Sequence, residues 1–176
     1  MRAVRPISLA LVLVLAVPLS ACSGQPGAQA WAALVCTSLN PWRSEIDSLT
    51  TRAQAQMTAG TTPGQARENL ARLFDGAATA SEQARAGVER AGVPAVDDGQ
   101  EIADGFLGSL AGIRDAYGQA RTGVEALATR PADAFYAEVS KVLDRLTTDY
   151  EKSSLDTTKL ESVELRQAFD SLPECQ

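Results

Sequence analysis

The stretch EIADGFLGSLAGIRDAYGQARTGVEAL, residues 101–127, decides the fold. Ile102, Phe106, Leu110, Ile113, Tyr117, Ala120, Val124 and Leu127 recur in it at steps of three and four. Such steps line one face of a helix with 3.6 residues per turn, whereas a half-buried strand alternates every second residue. Asp97, Asp98, Glu101 and Asp104 precede or open the stretch. Acids there complement the helix dipole, and Asp97 or Asp98 is expected to cap the free N–H groups. The spaced oxygen ligands of a calcium loop are missing, so the dipole accounts for this cluster without a metal ion.

The same periodicity continues on both sides. Upstream, Trp31, Val35, Leu39, Trp42, Ile46, Leu49, Ala53 and Met57 form one stripe, crossed by Pro41. A kinked helix is expected, or two helices nearly in line with Asn40 capping the restart. After the Gly60–Gly64 turn, Thr62, Pro63 and Gln65 make a capping-box pattern. A second helix follows, with Ala66, Leu70, Leu73, Phe74, Ala77, Ala84 and Val88 on one face, ending at Gly92 before Pro94. Downstream, Arg130-Pro131 marks a break. Phe135, Val139, Val142, Leu143, Leu146 and Tyr150 then mark a fourth helix. Ser153–Thr158 is polar and irregular. Ser162 is placed to cap a short last helix that buries Leu165, Phe169 and Leu172, and Pro173 stops it. Four long helices with short loops predict an all-α, antiparallel up-down bundle. The end of the fourth helix should then lie beside the start of the first, and the short C-terminal helix should fold back there.

The chain begins differently. Arg2 and Arg5 precede an almost wholly apolar run, Ile7–Leu19, too short for a comfortable membrane span. Leu19-Ser20-Ala21-Cys22 follows, and all four positions resemble the lipobox of bacterial lipoprotein precursors. The resemblance covers about the first 22 residues. It implies removal of Met1–Ala21 and lipid on the Cys22 thiol, a palmitate-type anchor on the extracytoplasmic face of the cell membrane. An ordinary signal peptide with a chance cysteine, or a plain membrane anchor, are the other readings. Ser23 is not the aspartate associated with inner-membrane retention, so an outer membrane, where the cell has one, is an expected destination. Residues 22–30 read as a flexible tether and 31–176 as the bundle domain.

Without Met1–Ala21 the chain has 155 residues, enough for one domain with a full core, and a formal charge of −8. That charge disfavours nucleic acid and anionic headgroups as partners, so attachment must come from the anchor. Cys36 and Cys175 remain, 139 residues apart. After export an even pair is expected to form a disulfide tying the ends of the domain together, the alternative being two free thiols.

The chain has no histidine. Catalytic triads that use histidine, most catalytic zinc sites and the Glu-x-x-His pattern of di-iron bundles are thereby excluded. Lys141, Lys152 and Lys159 sit in polar surroundings and read as solvated charge. No cofactor or metal is expected. Gly105, Gly108 and Gly112 flank the stripe on the third helix, at about 1 kcal/mol each relative to alanine. Close helix packing explains them, and a groove shared with Trp31 and Trp42 is the sharper alternative. The tryptophans themselves read first as core and second as the edge of a pocket or a contact with the lipid interface.

The mature part, through Trp31, Cys36, Trp42 and Glu164–Cys175, resembles the small, alanine-rich, all-helical lipoproteins of high-GC bacteria, a likeness that carries no activity with it. The expected role is a non-enzymatic interaction or scaffold module of the cell envelope with a protein partner. A carrier or sensor of a hydrophobic ligand comes second, and an enzyme working without histidine third.

Overall fold

The computed structural model describes residues 24–153 and 160–176. The lipobox, Cys22 and most of the polar segment before the last helix lie outside the described residues. Four long helices appear, α1 (Ala28–Gln56), α2 (Pro63–Ala91), α3 (Gly99–Glu125) and α4 (Ala132–Ser153), then a short α5 (Val163–Ser171) and a terminal 3-10 turn (Pro173–Cys175). Helix α1 starts within the stretch expected as tether, because Gly27 O already accepts from Trp31 N. No described helix is long and apolar enough to cross a membrane.

Helix boundaries follow local chemistry at most ends. The Thr62 side chain accepts from Gln65 N, and the Gln65 side chain accepts from Thr62 N, so both arms of the capping box are present. Ser162 caps α5 through Leu165 N. Helix α2 stops where Gly92 takes φ +73°, a backbone that other residues adopt at a cost. One expectation fails: Asp98 occupies the N-cap position of α3, yet in a left-handed conformation and without a side-chain capping bond. Of the two readings of Pro41, the single helix holds, since α1 runs through it. Thr37, whose carbonyl Pro41 leaves without a donor, is an exposed residue. Packing on both sides holds the phase, with Ser38 against Gly87 and Trp42 on Ser81. Asn40 therefore caps nothing; its amide donates to Glu174 O at 2.8 Å.

Successive helices are antiparallel. Ser38 faces Gly87 and Leu49 faces Gly76; Glu82 meets Arg114 and Asp75 meets Arg121; Ser153 faces Gly112 and Val142 faces Gly123. The central pair is α2–α3, where Ala77, Ala80 and Ala84 share the buried interior with Ala103, Ala116 and Ala120. Small residues let those two backbones approach closely.

The interior gathers at two poles. At one, Trp31 and Val35 of α1, Val88 of α2, Phe106 and Leu110 of α3 and Leu165 of α5 pack together. At the other, Leu70 and Phe74 of α2, Val124 of α3 and Phe135 and Val139 of α4 do so. The element beside the start of α1 is thus α5 and the 3-10 turn, not the end of α4, which packs on α3. The reason is aromatic. Trp31 is fully buried, with Phe106 edge-on at 5.2 Å and Phe169 at 6.2 Å, and its indole N–H donates to Gly92 O at 2.7 Å. Phe169 completes this cluster from α5.

Cys36 and Cys175 form a disulfide with Cα atoms 5.1 Å apart, closing a loop of 139 residues. Cross-linking so long a loop restricts the unfolded chain by about 4–5 kcal/mol in the entropy model. Replacing both cysteines with serine should therefore lower the unfolding free energy by about 2–5 kcal/mol in urea denaturation. An unchanged midpoint would show that the bond does not support the fold.

Candidate functional site

A trough of about 900 Å³ runs along α3 beside α4. Its floor is small: Ala116, Gly118, Ala120 and Gly123 of α3, with Ala78 of α2 beside them. A Cβ added at Gly118 would meet nothing within 4 Å, so the glycine opens space there. One wall comes from α4, through Val142 and Leu146 below Lys141 and Arg145. Helix α4 lies close against α3 beside the trough. A Cβ on Gly112 would collide with the Ser153 hydroxyl, and one on Gly123 would come within 3.3 Å of Val142.

Charges stand at the rim in pairs. Lys141 meets Glu138 at 2.6 Å, and Arg145 meets Asp149 at 3.4 Å. Arg114 holds Asp115 at 2.8 Å and reaches across to Glu82 of α2 at 2.7 Å. Glu82 also accepts from Arg85, which in turn reaches Glu89 at 3.5 Å. Hydrogen bonds from Arg85 and then Arg114 hold the Glu82 carboxyl down at about 2, against an ordinary 4.5. Both arginines are pushed up in turn, chiefly by their bonds to Glu82. Arg85/Glu89 and Arg145/Asp149 are pairs four residues apart on one helix surface, the second on the trough itself.

The residues proposed from sequence for a groove are not brought together. Trp31 is sealed in the core. Trp42 is half-buried between α1 and α2, its N–H donating to the Ser81 hydroxyl at 3.0 Å, and that hydroxyl donating to Ala77 O at 2.8 Å. Gly112 sits at the close contact with Ser153. Gly108 is exposed with open space above it, and Gly105 is half-buried. The glycines that shape the trough, Gly118 and Gly123, belong to the same helix but were not singled out. Their signal was the continuation of glycine at short intervals along α3.

The acids at the start of α3 stay on the surface, Asp104 accepting from Gln100 at 3.0 Å. Among the described residues, no three acids or cysteines lie together so as to hold a metal ion. Lys152 pairs with Asp149 at 3.7 Å, and Lys159 lies outside the described residues.

The Glu82 bridge joins α2 to α3, and its pH dependence has a definite sign. Its carboxyl titrates lower in the folded chain than in the unfolded one, so its stabilisation is present above about pH 4.5 and is lost towards pH 2. Glu82→Gln should melt below the parent at pH 7, and the gap should close over that acid window. A gap that stayed constant down to pH 2 would count against the bridge. Compared with known proteins, the chain matches no family, no curated protein and no solved structure.

Proposed function

We propose that this chain is a lipid-anchored protein of the cell envelope whose helical domain is a non-enzymatic binding module, with the α3 trough as its binding face. The observation that carries the reading is the make-up of the trough. Its floor is small and apolar, and its ionisable rim groups neutralise one another in exposed pairs. Catalytic groups are usually poised near working pH by burial or like charge. Glu82, the strongly shifted carboxyl beside this face, is shifted the other way, by two arginines that keep it ionised. A shallow, small-floored trough with a paired polar rim suits a docked helix or strand of a partner protein.

Two further observations support the anchored setting. A disulfide persists in oxidising compartments, which agrees with export. The described chain also begins at one pole of the bundle, where Pro26 O accepts from Ala95 N in the α2–α3 connection. Helix α3 climbs away from that pole at about 1.5 Å per residue, so the trough stands roughly 20–35 Å from it. Lipid on Cys22 would hold the domain close to the bilayer and offer the trough sideways, clear of the headgroups. Two acyl chains anchor firmly where one does not.

The test pairs two variants in intact cells. Cys22→Ser should accumulate as unprocessed, unlipidated precursor. Gly118→Arg should be processed and melt like the parent, yet lose the parent's chemical crosslink to its envelope partner. Normal processing and membrane retention of Cys22→Ser would refute the anchor. A partner crosslink that survives Gly118→Arg would refute the trough.

A further inference from the structure

A second cavity, of about 320 Å³, lies between α1 and α2 and shares no lining residue with the trough. Its α1 wall holds Pro41 and Trp42, and its α2 wall Ala80 and Ala84. Trp42 is half-buried and packs against the core cluster around Trp31 and Val35. Its N–H donates to the Ser81 hydroxyl at 3.0 Å, and Ser81 is fully buried. The indole is thus tied inward by its N–H edge, and the part that stays open lines the cavity together with the exposed Pro41. The two rings give this wall a rigid apolar surface.

The polar groups around that surface are idle. Thr37, Gln83 and Arg90 also line the cavity, and none of their side chains makes a hydrogen bond or ion pair among the described residues. Pro41 adds an acceptor, because it has no N–H to give the Thr37 carbonyl. Glu45, the one acid on the lining, is taken by Arg52 at 2.9 Å. Arg90 therefore stands as an unpaired cation on a chain whose net charge is −6. The trough is the reverse, since each charged group on its lining has a partner.

A ligand for this cavity needs an apolar face for the rings, hydroxyls that both donate and accept, and one negative charge. A pyranose that bears a carboxylate has all three. Its C–H bonds make an apolar face, its hydroxyls ring the edge, and its acid group projects from one end. The volume sits at the small end of the ~300–1,000 Å³ range of ligand pockets, which suits a short sugar. We propose that the α1–α2 cavity binds an acidic sugar. Its C–H face lies on Trp42 and Pro41, its hydroxyls meet Gln83 and the Thr37 carbonyl, and its carboxylate pairs with Arg90. The inference does not depend on the trough or on the anchor.

The experiment uses the full chain in nanodiscs of zwitterionic lipid, labelled with 5-fluorotryptophan. The chain has two tryptophans and so two fluorine signals, which Trp42→Phe assigns. Methyl glucuronide should shift the Trp42 signal and leave that of the sealed Trp31 in place. It should bind about tenfold tighter than methyl glucoside, as one charge-assisted hydrogen bond allows. Arg90→Gln should remove that advantage and leave glucoside binding unchanged. Gln83→Ala, at an exposed position, should weaken both sugars. Melting curves identical to the parent's would confirm that both variants fold. A Trp42 signal that neither sugar moves, two signals that move together, or glucuronide binding indifferent to Arg90→Gln would overturn the proposal. Inorganic phosphate that displaced the glucuronide at equal concentration would overturn it too, by showing a site for any anion.

Discussion

The seating of α5 on Trp31 and Phe106 is the contact on which the rest of the architecture depends. Phe169 lies against Phe106 at 5.7 Å and edge-on to Trp31 at 6.2 Å, and the Cys36–Cys175 bond holds the segment there from its far end. Aromatic burial of this kind is among the largest single contributions to a small core. Helix α5 and the 3-10 turn take the place beside α1, while α4 packs along α3. The pole where the described chain begins is built from α1, α2, α3 and α5, and the other from α2, α3 and α4. The trough lies between α3 and α4, towards the second pole.

Much of this was legible in the sequence, for reasons that can be named. The stripe through Ile102, Phe106, Leu110 and Ile113 encodes burial directly, because each of those side chains needs an apolar neighbour. Thr62 and Ser162 were readable because capping is local and needs only the next three residues. The Cys36–Cys175 pair was readable by parity once export was inferred. Pro41 left two readings open because its cost is local, about 3 kcal/mol, while the packing of Ser38 and Trp42 that keeps α1 one helix comes from α2. Asn40 likewise took its partner, Glu174, from the opposite end of the chain.

The trough was hidden for a different reason. Gly108, Gly112, Gly118 and Gly123 look alike in sequence, yet two are filled by a neighbouring helix and two open to space. The difference lies in where α4 crosses. A glycine reports that a backbone approach is allowed. It does not report what approaches.

The functional account follows from this division of labour. One pole gathers the start of the described chain, the disulfide and the aromatic cluster. The trough lies away from that pole, between α3 and α4. Hydrogen exchange of the native, oxidised protein tests this most directly, because it reads the stability of each helix separately. The account predicts that amides from Leu165 to Phe169 are protected to the level of α2 and α3, above those of α4's outer turns. Exchange of α5 at the rate of a surface helix, with the disulfide intact, would contradict it.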